Sequence, residues 1–250
     1  MPDPGPEPQP ISQEPRTGAA RLVAILEVLL CSGFPTQIAL GGTYVALGYK
    51  VLNASGGLAT SYVVSVSLAD AVLVVSLVVL FLVAHGERPR DVILGQVPVA
   101  AEAVAGLPLI PVALLVAVPV LLVTARLAPW LHTVERNPLQ DMVQSPRDAW
   151  LFALVVIVAG GVREEVQRAF VLHRFAVWLG GPTTGLIITS LAFGAGHLTQ
   201  GADAAIATGL LGALWGVVYL RRRSAIAPMV SHAGFDLLQI AQFIVARGGS

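Results

Sequence analysis

After residue 17 the chain divides into about seven mostly apolar stretches of roughly 20 residues, the length a helix needs to cross the hydrocarbon of a bilayer. That one feature restricts the fold to helices whose backbone groups are satisfied internally. Composition agrees, since 55% of the 250 residues are hydrophobic, 12% are charged and the mean hydropathy is +0.76. No single water-soluble core can hide so much apolar surface. The expected class is therefore an all-α polytopic membrane protein, with the lipid bilayer as its solvent.

Arg, Pro and Gly clusters set the boundaries of the spans. The first is expected from about Arg21 to Gly48, kinked at Gly33 and Pro35, and the second from about Leu58 to Ala84. The stretch from Asp91 to Ala103 carries Pro98 and Glu102 and reads as an interfacial segment. A third span follows from near Gly106 to Leu127, then a polar loop over residues 129–148. The fourth runs from near Ala149 to about Leu179, the fifth from Pro182 to Leu198, the sixth from Ala204 to Leu220 and the seventh from Ala225 to Ala246. Residues 1–17 are Pro-rich and polar, and are expected to be a disordered tail; they lack the basic start and apolar core of a cleavable signal. The remainder, 18–250, reads as one transmembrane domain.

Formal net charge is zero, which leaves no basic surface for a nucleic-acid partner. Cys31 is the only cysteine, so neither an intrachain disulfide nor a cysteine metal cluster can form. Arg and Lys in short loops favour the cytoplasm. Arg88 and Arg90, His173 with Arg174, and Arg221 to Arg223 fall on one side of a seven-span chain, which predicts a cytoplasmic N-terminus, against Arg126, Arg136 and Arg147 on the other side.

The late spans carry ionisable groups that the bilayer penalises by about 2.5 to 3.5 kcal/mol each on insertion scales. The fourth has Arg163, Glu164, Glu165 and Arg168, the fifth His197 and the seventh His232 and Asp236. Glu164 with Arg168, Phe193 with His197 and His232 with Asp236 are pairs four residues apart, which a helix places on one face. At about 1.5 Å of rise per residue these groups sit at overlapping depths, roughly 10 to 22 Å from the cytoplasmic ends of their spans. Small neighbours such as Gly194, Gly196, Ala233 and Gly234 permit close helix approach. A carboxylate beside an imidazole in a partly dry cavity can deprotonate a water. Arg168 would offset the carboxylate charge, and His232 oriented by Asp236 could stabilise an oxyanion or share a divalent metal such as Zn²⁺ with Glu164 and His197, although no HExxH motif is present.

These residues resemble the CAAX protease and bacteriocin-processing (Abi) family of intramembrane metalloproteases, which includes the type II CAAX prenyl proteases. The family places a Glu-Glu-x-x-x-Arg, a Phe-x-x-x-His and a His-x-x-x-Asn/Asp motif on separate helices. FGAGH (Phe193 to His197) and HAGFD (His232 to Asp236) match the second and third, and Gly212, Gly216, Tyr219 and Pro228 resemble the approach to the last histidine. The resemblance covers roughly 149–240, with the protease core expected at about 149–246. It implies an endopeptidase acting on membrane-embedded or lipidated peptides or proteins, with Glu164, Glu165, Arg168, His197, His232 and Asp236 as the catalytic set, in the plasma membrane of a bacterium. The first motif departs from the pattern. Aligned on Arg168 it puts Arg163 and Glu164 on the two glutamates; aligned on Glu164 and Glu165 it brings the arginine one residue early.

Three functions remain open at this level: the protease, a catalytically silent immunity or scaffold protein on the same fold, and an ion or proton transporter, against which the lack of an internal repeat counts. Glu27 and Asp70, also intramembrane acids, read as buried hydrogen-bonding groups. His85, His132 and His173 read as solvated, and the Arg221 to Arg223 run as a topology and headgroup signal.

Overall fold

In the computed structural model, which describes residues 18–54, 56–135 and 142–248, the apolar runs are helical and the one sheet-like feature is an isolated bridge between Leu52 and Leu58. The expected tail, 1–17, and Arg136 lie outside the described residues. Gly33 explains the first break: its φ of 84° is left-handed, a conformation glycine adopts without penalty, and Pro35 follows at the start of the next helix. The first stretch thus folds as α1 (Gly18–Leu30) and α2 (Phe34–Ala46), bent by 44°. The kink is where the sequence puts it.

α3 (Thr60–Ala84) follows, then the short α4 (Pro89–Ile93), α5 (Val99–Gly106) and α6 (Leu109–Leu127). The expectation of an interfacial segment over Asp91–Ala103 needs correcting. From Val99 onward the chain joins α6 in a 29-residue apolar stretch, Val99–Leu127. Glu102 is accommodated there because Arg222 grips both its oxygens at 2.8 Å. That bidentate pairing also revises the reading of the Arg221 to Arg223 run, whose middle member holds two helices together.

The fourth stretch starts at Pro146 because Ser145 and Asp148 form a capping box, each side chain accepting from the other's backbone N–H. It begins as α7 (Pro146–Val155), passes through a π-helical segment (Val156–Glu164) and continues as α8 (Glu165–Val177). α9 (Pro182–Gly196), α10 (Ala202–Arg222) and α11 (Ile226–Gly248) complete the chain. Three described helical stretches are long and apolar enough to cross a membrane, α3, α5 with α6, and α10, and the bent α1–α2 pair makes a fourth. The protein is an all-α membrane protein. The π segment, α8 and α11 carry the polar groups of interest, and α9 is only 15 residues long.

Two groups of polar contacts tie the helices to one another and to the loops. In one, Tyr219 donates to the Val92 carbonyl at 3.0 Å, and fully buried Arg174 binds Glu27 at 2.7 Å and also Glu87. In the other, His132 meets Asp203 at 2.8 Å and Thr60 meets the Met142 carbonyl. His85, His132 and His173 are therefore not simply solvated: each has a carboxylate partner, Glu27, Asp203 and Glu87 respectively. α8 runs through the middle. Its Val166, Ala169, Phe170, Leu172 and Phe175 are buried against Val74, Val78 and Leu82 of α3 and Tyr219 of α10, so the helix bearing the charged motif is held on most sides by apolar packing.

Candidate active site

Arg163, Glu164 and Glu165 follow one another where the π segment hands over to α8, and they point three ways. Arg163 turns to α3, its Nη2 donating to Asp70 Oδ2 at 2.6 Å. Asp70 also accepts from the Thr36 hydroxyl, so the intramembrane acid read as a buried hydrogen-bonding group is one, with an arginine as its main partner. Glu165, 1% exposed, turns to α11, where Oε1 accepts from His232 Nδ1 at 2.8 Å and from Arg168 Nη1. Glu164 lies between them with its side chain 23% exposed and lines a cavity of about 580 Å³.

The expected Glu164–Arg168 pair is thus replaced by Glu165 with Arg168, three residues apart. Glu165 and Arg168 both lie on the regular α8, where residues three apart share a face as residues four apart do. Glu164 reaches the cavity, Glu165 turns to His232 behind its wall, and Arg163, which also lines the cavity, pairs with Asp70.

Gly160 and Gly161 let this segment approach α11. A methyl at Gly161 would stand 2.7 Å from the Ala233 Cβ, and one at Gly160 would stand 2.9 Å from Asp236 Oδ2. In that narrow space His232 is 4% exposed. Trp215 of α10 stacks on its imidazole, centroids 3.9 Å apart, and donates to Ser231 Oγ at 3.1 Å. The Phe193 ring touches both imidazoles, 4.8 Å from His197 and 5.9 Å from His232, and the Arg168 guanidinium lies over it at 4.6 Å. Glycines again make room, since a methyl at Gly212 would meet the Phe193 ring at 2.9 Å and one at Gly194 the Ala205 carbonyl at 2.7 Å.

Protonation follows from the partners. A carboxylate only accepts, so His232 Nδ1 carries a proton, and its Nε2 faces Glu164 Oε2 at 3.8 Å and Asp236 Oδ2 at 3.6 Å. Both gaps exceed a direct hydrogen bond and suit a single bridging water. His197 closes α9, and its Nδ1 donates to the Phe193 carbonyl at 2.8 Å, which leaves the Nε2 lone pair as its free function. Glu164, His197, His232 and Asp236 all line the larger cavity, together with Phe193 and Trp215. Glu164 and His197 also line a second cavity of about 220 Å³ on the side of α1 and α2.

Of the expected residues, Glu165 and Arg168 brace the wall and the other four reach the larger cavity. The donor set expected for a metal, Glu164, His197 and His232, does not fit one as arranged: among the described residues no group of three or more His, Cys, Asp and Glu side chains could hold an ion. Sequence reasoning passed over Trp215, an aromatic in an apolar helix that carries no distinguishing signal. It also left Asp70 and Arg163 unconnected, although two opposite intramembrane charges ask for one another.

The family model of Rce1-like type II CAAX prenyl endopeptidases matches residues 146–238, from the first turn of α7 to α11, a segment containing all six candidate residues. No curated protein and no solved structure matches the chain.

Proposed function

We propose, from the match of residues 146–238 to the Rce1-like family of type II CAAX prenyl endopeptidases, that the chain is an intramembrane endopeptidase in which Glu164 activates the attacking water. The observation that carries this reading is the gap between Glu164 Oε2 and His232 Nε2, 3.8 Å, in the wall of a cavity formed within the helices. A water there lies within hydrogen-bond reach of a carboxylate and an imidazole.

The water oxygen adds to the scissile carbonyl carbon as its proton passes to Glu164, and the carbonyl π electrons move onto oxygen. When the tetrahedral adduct collapses, the C–N bond breaks and the proton held by Glu164 goes to the departing amine. The second proton of the water can be held by the Nε2 lone pair of His232 or of His197. Glu165 acts through others: it fixes the His232 tautomer and, with Arg168, the rotation of the helix. Asp236 stands 3.6 Å from His232 Nε2 and lines the cavity beside Glu164. No metal enters this scheme, in keeping with the donor arrangement. The placement of Glu164 at the cavity, with Glu165 held against His232 behind its wall, supports the enzyme over the silent-scaffold reading, which rested on Arg163 replacing a glutamate.

The substrate class that suits the site is a membrane-embedded or lipidated peptide or protein. Seven crossings, counting α1 with α2, α5 with α6 and α7 through α8 as one each, with a cytoplasmic N-terminus, complete the reading. The test is turnover of an internally quenched farnesylated CAAX peptide by the full chain in liposomes, beside the same peptide without lipid. Glu164→Gln is expected to lower turnover by about 100-fold or more. Unchanged turnover in Glu164→Ala, Glu165→Ala would overturn the assignment.

A further inference from the structure

The attacking water has two protons, and once Glu164 draws on one the other needs an acceptor. Two imidazoles line the cavity with a lone pair to offer, and they are held very differently. His197 is half-buried at the end of α9, its Nδ1 bonded to the Phe193 carbonyl four residues earlier on the same helix and the Phe193 ring inclined to it at 60°. His232 is gripped by side chains of other helices: Glu165 of α8 at Nδ1, the edge-on Phe193 ring of α9, and Trp215 of α10 lying flat on its face.

We propose that Trp215 is a positioning residue, which locks the plane of the His232 imidazole so that this ring, and not His197, holds the water beside Glu164. The proposal rests on the protease reading of the site. A hydrogen bond at Nδ1 sets the tautomer and fixes one atom of the ring, yet leaves the ring free to swing about that bond. Trp215 removes this freedom, since its ring lies 3.9 Å from the imidazole, centroid to centroid, with the planes only 17° apart. Nε2 is thereby kept on the gap between Glu164 Oε2 at 3.8 Å and Asp236 Oδ2 at 3.6 Å.

The indole is itself fixed. It is 1% exposed, it belongs to a buried cluster with Ala113, Ala117, Leu211 and Phe235, and its N–H donates to the buried Ser231 hydroxyl at 3.1 Å. Ser231 directly precedes His232, so the indole is tied to the same turn of α11 whose imidazole it holds. Chemistry favours this residue type as well: a π face attracts the positive charge that an imidazole gains as it draws on a proton of the water. Misplacing a reacting group by about 1 Å costs about 100-fold in rate. Because the imidazole meets the water and not the peptide, the loss falls on kcat and spares KM.

The decisive variant is Trp215→Leu, which keeps apolar bulk and removes the flat face. In liposomes with the quenched farnesylated peptide, kcat is expected to fall by about 10- to 100-fold while KM moves less than about 3-fold. Trp215→Phe, which returns a ring to the site, restores most of that loss. The two histidines then separate. His232→Gln should add less than about 3-fold to the loss already present in Trp215→Leu, whereas His197→Gln should multiply that loss by the factor it costs in the wild type. If thermal melting shows Trp215→Leu to be unfolded, Ser231→Ala decides, because it removes only the anchor of the indole: kcat should fall by about 3- to 10-fold at unchanged KM, and a wild-type kcat overturns the proposal. A folded Trp215→Leu with wild-type kcat, a loss confined to KM, a phenylalanine that restores nothing, or losses at Trp215 and His232 that simply multiply overturns it equally. Loss of turnover in Glu164→Gln with a wild-type rate in Trp215→Leu rejects the positioning role alone, whereas full activity in Glu164→Gln rejects the protease reading itself.

Discussion

Glu164 and Glu165 are neighbours in sequence with opposite environments, and the contrast separates chemistry from support. Glu165 lies at the centre of a buried cluster with Arg168 and His232, so Glu165→Gln leaves an arginine charge uncompensated. Removing one partner of a buried pair costs about 3 to 5 kcal/mol, and denaturant unfolding in detergent should show a loss of that size. Glu164 has no hydrogen-bonded ion partner as close, its nearest charges being 3.8 and 3.9 Å away. Glu164→Gln should shift the same unfolding curve by under about 1 kcal/mol, the range of substitutions away from special features, while abolishing turnover. The sequence showed both acids in a place where acids are costly. It could not show which one braces and which one acts, because both spacings are compatible with a helix.

At the scale of the element, the π segment governs the site. Its glycines predict a dissociation of stability from activity. A methyl at Gly160 crowds the movable end of Asp236 at 2.9 Å and stands 3.9 Å from His232 Nε2, whereas one at Gly161 meets Ala233 at 2.7 Å and the Met229 backbone at 3.1 Å. Gly160→Ala should fold normally and lose about 10- to 100-fold in kcat, as misplacements of about 1 Å do. Gly161→Ala should lose about 1 to 3 kcal/mol of stability by overpacking. Melting curves and turnover of the two purified variants check the pair. The expected FxxxH and HxxxD pairs, by contrast, lie on regular helix, and their i, i+4 spacing was legible for that reason.

Across the whole molecule, charge pairs tie the helices to one another and to the loops, and one of them gives a pH dependence. Burial would raise the Glu87 carboxyl, but hydrogen bonds from His173 and Arg174 outweigh it and hold the group below its usual value of 4.5. A depressed carboxyl contributes stability above its unfolded pKa, and that contribution is lost as pH falls through the folded value. The difference in melting temperature between wild type and Glu87→Gln should therefore be full at pH 7 and shrink as pH drops below about 4.5. Topology is testable at the same scale. In a Cys31→Ser background, single cysteines at Arg90 and Trp130 flank the Val99–Leu127 stretch and should label from opposite faces of intact vesicles; labelling from one face would remove that crossing.

What the sequence determined by itself was the solvent, the helical class, the kink at Gly33 and the residue types gathered in residues 146–238. Each follows from quantities that accumulate along a chain: hydropathy over a window, backbone preference at one glycine, spacing within a motif. Only the tertiary structure decided which way Arg163, Glu164 and Glu165 point, that Asp70 claims the arginine, and that Trp215 and Phe193 hold the imidazoles. The rotation of a helix about its axis is set by what packs against it, and a π segment alters that rotation without changing the apolar content from which a span is recognised.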